Sequence, residues 1–185
     1  MSQPAFARVI DRRRFLALGA MAACALGSAP ALAHALGAGR RSLSFRHLHT
    51  GEHLTATYWA DGAYVGEGLA RIDRLLRDFR TDEVKTIDRR LLDLLNLLGS
   101  KVDCQAPFEV ISGYRSPATN ATLAKAGHGV AKKSLHLHGM AIDVRLPGRR
   151  LKDLHRAALA LRAGGVGYYP ASDFVHVDVG PVRSW

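Results

Sequence analysis

Cysteine is scarce: two in 185 residues. Cys24 falls in an apolar leader, so Cys104 stands alone behind it and no intramolecular disulfide is available. A lone cysteine of this kind reads as an inert buried side chain. Acidic residues are also few, 16 against 26 Lys+Arg, for a formal charge of +10. Residues 1–33 carry four arginines against one aspartate, so +3 belongs to the front and +7 to the rest. That excess favours a polyanionic partner, either nucleic acid or an acidic cell-wall polymer. Internal repeats and low-complexity tracts are absent. The one long apolar run, residues 15–26, is too short to span a bilayer comfortably. With 48% apolar residues, a packed core is expected and disorder is not. The length suits one domain and a modest tail, large enough to hold together on its core.

What is present begins with an address. Arg12-Arg13-Arg14-Phe15-Leu16 fits the R-R-x-F-L pattern of a twin-arginine export signal. The apolar run follows, and Ala31-Leu32-Ala33 is an A-x-A cleavage site that leaves His34 first. Residues 1–33 are therefore expected to be a signal peptide and the protein periplasmic. Met21-Ala22-Ala23-Cys24 departs from a lipoprotein box at its first residue, so no lasting membrane anchor is expected.

Residues 34–42, small and basic, read as a flexible lead-in to a domain over 43–185. Residues 43–48 and 53–59 alternate as strands around Thr50-Gly51-Glu52, a hairpin turn. His47, His49 and His53 flank that turn and suit a solvent-facing hairpin better than a metal site. Residues 68–79 place Leu69, Ile72, Leu75, Leu76 and Phe79 on one helical stripe, with Arg71, Arg74 and Asp78 outside. Ile87, Leu91, Leu94, Leu95 and Leu98 repeat the pattern, and Gly99 is the expected stop. Residues 108–112 read as a buried strand running into Gly113-Tyr114-Arg115, and Ser116-Pro117 opens a short helix. Arg115 thus stands at a strand-to-helix corner, where side chains tend to reach into clefts. A helix over 151–163 and strands over 166–169 and 174–179 complete an α+β domain: a small antiparallel sheet with helices packed on one side.

The chemistry concentrates in two stretches. Residues 134–143 read S-x-H-x-x-G-x-A-x-D, and Asp173-Phe174-Val175-His176-Val177-Asp178 answers them some thirty residues later. Two histidines and a carboxylate from separate places are what a catalytic zinc uses, the fourth position staying open to water. Period-two alternation puts Phe174, His176 and Asp178 on one face of the last strand and the valines on the other. His136 and Asp143 are seven apart, so a straight strand would send them to opposite faces. A bend is required, and Gly139 is where it fits.

These residues resemble the zinc D-Ala-D-Ala carboxypeptidases and L-alanyl-D-glutamate endopeptidases, which share a fold with the hedgehog signalling domain. The wider match is to their murein endopeptidase K branch. It runs through residues 43–59, Ser112-Gly113-Tyr114-Arg115-Ser116-Pro117, residues 129–136, Gly165-Val166-Gly167-Tyr168-Tyr169-Pro170 and the end through Trp185. The resemblance implies one zinc ion held by His136, Asp143 and His176, with Arg115 polarising the scissile carbonyl. It places the general base at Asp173, three before the last histidine. Asp178 is the competitor for that role, or else the acceptor of a ligand histidine's free N–H. His138 falls outside the motif and is expected to line the cleft; His128 and His155 receive no role. The activity implied is hydrolysis of peptidoglycan peptide stems and cross-links. A D-Ala-D-Ala carboxypeptidase and a non-catalytic zinc-containing wall-binding module are the alternatives. A nucleic-acid role is not expected, because the positive charge is spread along the chain.

Overall fold

The computed structural model describes residues 39–126, 131 and 133–185. The expected signal peptide, the first part of the expected lead-in and His128 lie outside these residues. Strands β1 (Arg41–His47) and β2 (His53–Ala60) form the expected hairpin, and β3 (Ala63–Tyr64) extends it. Helices α1 (Gly66–Leu75) and α2 (Arg89–Lys101) follow, then β4 (Phe108–Ser112) and α3 (Pro117–Lys125). A 3-10 turn (Leu135–His138) leads into β5 (Ala141–Arg145). Helix α4 (Leu151–Leu161), β6 (Gly165–Tyr169), a second 3-10 turn (Pro170–Ser172), β7 (Phe174–Asp178) and β8 (Arg183–Ser184) complete the chain.

The eight strands among the described residues join one sheet in the order β3-β2-β1-β4-β5-β7-β6-β8. The α+β class is as expected, but the sheet is larger than expected and not wholly antiparallel. β1 runs parallel to β4, and β6 parallel to β8. The two short outer strands carry too little period-two signal to be read from sequence.

One apolar face of the sheet carries the core. Leu43 and Phe45, Val110, Ile142 and Val144, and Val175 and Val177 point from successive strands into a single buried cluster. Ile72 and Leu75 of α1, five leucines of α2 and Leu154, Ala157 and Ala158 of α4 fill it from above. Each fully buried leucine contributes roughly 1.5–3 kcal/mol relative to exposure. Helix α3 is the exception: none of its residues belongs to this cluster, and its Leu123 faces a cleft.

Several local expectations change. The lead-in ends two residues early, because Arg41 and Ser42 already pair with Trp59 and Thr57. Helix α1 stops at Leu75, so Asp78 is not on its outer face. It is buried instead, its carboxylate accepting from the Ser116 and Arg80 amides. Gly99 does not stop α2; it lies inside the helix against the Phe108 ring. His47 is not solvent-facing but 0% exposed, and its Nδ1 accepts from the amides of His49 and Thr50. Ser116 caps α3 as expected, accepting from the Thr119 amide with Pro117 behind it.

Candidate active site

On the sheet face opposite α1, α2 and α4, β5 and β7 set Asp143 directly across from His176. The same alternation that sends Ile142 and Val177 into the core turns these two polar side chains away from it. His136 arrives from the turn before β5. Gly139 makes that geometry feasible at φ +65°, a left-handed conformation that favours glycine. A Cβ there would meet the Thr86 carbonyl oxygen at 2.5 Å, so the close approach also requires glycine. The corner after β4 completes the arrangement: the Arg115 amide donates to the His136 carbonyl at 3.1 Å.

The three expected ligands converge. His136 Nε2 lies 3.2 Å from Asp143 Oδ1 and 3.2 Å from His176 Nδ1. His176 Nδ1 lies 2.8 Å from Asp143 Oδ1. All three residues are buried. The outward ring nitrogens identify the protons. His136 Nδ1 sits 2.7 Å from the Gly113 carbonyl oxygen, which can only accept, so the hydrogen is there and Nε2 is bare in the neutral ring. His176 Nε2 sits 3.1 Å from Asp178 Oδ2 and donates to it, which leaves Nδ1 bare in the neutral ring. With both rings neutral and in these tautomers, three electron-pair donors face one another. Such a donor set fits a divalent cation, as nitrogen and carboxylate ligands suit zinc.

Without a metal a proton takes that place. Burial works to lower the His176 pKa, but hydrogen bonds to Asp143 and Asp178 outweigh it and hold the ring at about 9. Burial likewise opposes charge on Asp143, yet the two histidines hold its carboxyl well below the usual range. Asp178 is depressed too: its burial is overcome by His176, the Gly165 and Gly180 amides and Arg183.

Above the ligands lies a cleft of about 520 Å³. Arg115 lines it, buried and only loosely engaged. Its Nη2 is 3.4 Å from Ser112 Oγ and 3.7 Å from Asp143 Oδ2, and its Nε has no partner among the described residues. Arg80, Lys133 and Arg183 also line the cleft, making it strongly cationic. Aromatic side chains form another part of the lining: Tyr169 stacks on Phe174 with ring centres 4.6 Å apart, and the Trp185 indole N–H donates to Tyr169 Oη at 2.7 Å.

The two remaining carboxylates divide sharply. Asp178 is sealed behind His176 at 0% exposure. Asp173 is exposed at the end of the second 3-10 turn, its Oδ2 accepting from Arg145 at 2.7 Å. Arg145 is held on its other side by Glu109 at 2.6 Å. His138, expected along the cleft, is exposed on its turn and is not among the cleft-lining residues. His49, read from the sequence as a solvent-facing hairpin residue, lines the cleft, and so do Arg80, Arg183 and the aromatic side chains, which the sequence did not mark as site residues. Only Phe174 carried a local signal, its shared face with His176; the others reach the cleft through tertiary contacts.

Comparison with known proteins agrees with this geometry. The family model described as "Peptidoglycan L,D-endopeptidase MepK" matches residues 35–185. The chain is 43% identical over 176 residues to the peptidoglycan L,D-endopeptidase MepK of Escherichia coli K12, covering 95% of this chain and 97% of that protein. It is 42% identical over 146 residues to a probable peptidoglycan L,D-endopeptidase MepK of Haemophilus influenzae, covering 78% of each. With the motif set in register and the match spanning nearly its whole length, the chain belongs to the peptidoglycan L,D-endopeptidase MepK family.

Proposed function

We propose that the chain is a zinc-dependent endopeptidase that hydrolyses peptide cross-links of peptidoglycan in the periplasm, reached by twin-arginine export. One observation carries the metal assignment: two imidazole nitrogens and a carboxylate oxygen lie mutually within 3.2 Å, the other nitrogen of each ring held by an acceptor on its far side. His136, Asp143 and His176 would hold the ion. A zinc ion so held supplies a Lewis acid and brings the pKa of water down toward ~7.

The protein's own groups do the rest. Arg115 offers a loosely held guanidinium beside Asp143, its Nε without a partner among the described residues, where the scissile carbonyl oxygen would gain charge as the tetrahedral intermediate forms. Positioned donors of this sort contribute roughly 3–4 kcal/mol each. Asp178 is committed to His176, two amides and Arg183, and holds the ring in the tautomer that leaves Nδ1 bare. Asp173, which the family resemblance marks as the general base, would take the proton from the attacking water and pass it to the leaving amine, although it is exposed beside the cleft and not among its lining residues. For that it must turn away from Arg145 when substrate enters. The cationic lining draws in a wall peptide rich in carboxylates.

The curated relatives' names specify an L,D bond, and an internal cross-link is the substrate assigned here. The test is incubation of the purified protein with defined cross-linked and uncross-linked muropeptides, with and without chelator. The expected result is cleavage of cross-linked dimers, stopped by chelator and restored by zinc. Undiminished cleavage in chelator, or release of terminal residues alone, contradicts the reading.

A further inference from the structure

We infer that Arg183 is a positioning residue of the metal site, fixing Asp178 and, through it, the ring of His176. This rests on the zinc reading above and concerns how one ligand is aimed.

The guanidinium grips both oxygens of Asp178: Nη2 donates to Oδ2 at 2.7 Å and Nη1 to Oδ1 at 3.2 Å. Oδ1 has two further donors, the Gly165 amide at 3.0 Å and the Gly180 amide at 2.8 Å. Oδ2 is the oxygen that holds His176, and among the described residues Arg183 is its one other partner. A carboxylate with no exposure needs its charge matched, and Arg183 supplies that charge from the rim of the cleft.

The surroundings are shaped to keep this contact. Arg183 lies opposite Gly165 in the parallel β6–β8 pair. Backbone bonds from the Trp185 amide to Val166 and from Tyr168 to Trp185 pin the strand at 3.2 and 3.1 Å. A Cβ on Gly165 would collide with both Asp178 Oδ2 and the Arg183 guanidinium, so glycine leaves room for the fork. Trp185 covers the assembly: its ring centre is 5.3 Å from that of His176, and the guanidinium stands 5.0 Å over the indole.

Arg183 also faces the cleft, which suggests a rival role in gripping a substrate carboxylate. Its two terminal nitrogens are already committed to Asp178, and this favours positioning. A planar fork is also not reproduced by a lysine ammonium.

The experiment measures zinc affinity of the full chain by competition with a chromogenic chelator, together with the visible spectrum of the cobalt-substituted protein. The variants are R183Q, R183K, D178N and the R183Q/D178N pair. Partners that orient a metal-binding histidine are typically worth ~10–100-fold in affinity. R183Q is expected to weaken zinc binding by that order and alter the cobalt spectrum, with R183K between it and the unaltered protein. The pair should lose little more than D178N alone, since both act through one contact. Unchanged zinc affinity in R183Q overturns the inference, and a raised KM beside it assigns Arg183 to the substrate. Fully additive losses in the pair also overturn it. Absence of zinc binding by the unaltered protein defeats the metal reading itself, a distinct outcome.

Discussion

The two faces of the sheet are written in the same strands and do opposite work. On β5, Ile142 and Val144 enter the core while Asp143 and Arg145 face away. On β7, Val175 and Val177 enter the core while His176 and Asp178 face away. The covered face is apolar and closed by α1, α2 and α4. The other face carries buried carboxylates and imidazoles whose charges are met by one another and by Arg183 and Arg115. Stability is concentrated on the first face and chemistry on the second, so substitutions on each should produce separable effects.

The largest effect is expected at the ligands. His176→Ala should lower cleavage at least ~10³-fold, the loss of ~4 kcal/mol of transition-state stabilisation, and should abolish stoichiometric zinc binding. Muropeptide digestion and metal analysis of the same sample check both. Next comes Arg115→Met, expected to lower kcat on the order of 10²–10³-fold while zinc content stays at one per chain. On the covered face, Leu95→Ala should remove about 2–5 kcal/mol of unfolding free energy, read by denaturant titration, and leave zinc affinity of the folded protein intact. If Leu95→Ala released the metal, the division between faces would be wrong.

A gentler probe is pH. In the metal-free protein the folded His176 pKa, about 9, lies above its ordinary 6.5. Its stabilising contribution is therefore full below 6.5 and disappears as pH rises through 9. Asp143 and Asp178 are depressed below their ordinary 3.8, so their contribution holds above that value and is lost as pH falls below it. Chelated protein should have its highest melting temperature between these limits. Zinc-loaded protein should not weaken between pH 6.5 and 9, because the metal replaces the proton. The smallest effect is expected at the exposed Arg74–Asp82 pair, 3.0 Å apart, where Arg74→Ala should change stability by no more than ~1 kcal/mol.

Much of this division was legible in the chain. Alternation over 174–178 assigned each β7 side chain to its face, and the spacing of His136 from Asp143 called for the bend that Gly139 makes. Helices α1, α2 and α4 announced themselves by apolar period, though their ends shifted: Leu75 rather than Phe79, and Lys101 rather than Leu98. What escaped depends on distant partners. Asp78 looked like a solvated helix residue because nothing nearby shows that the Ser116 amide needs its carboxylate. His47 looked exposed because its hydrogen bonds close a turn only once that turn is packed against Phe79. Arg183 carried no signal at all, since its fork meets Asp178 only when β8 lies beside β6. The motif marked which atoms meet; it did not mark what holds them there.

The central claim is a shared cation among His136, Asp143 and His176, and anomalous diffraction at the zinc edge tests it most directly. The account predicts one strong peak bonded to His136 Nε2 and His176 Nδ1 at ~2.0–2.1 Å and to an Asp143 oxygen at ~2.0–2.2 Å. Crystals grown with zinc that showed no peak among these three side chains, or one bound elsewhere, would contradict it.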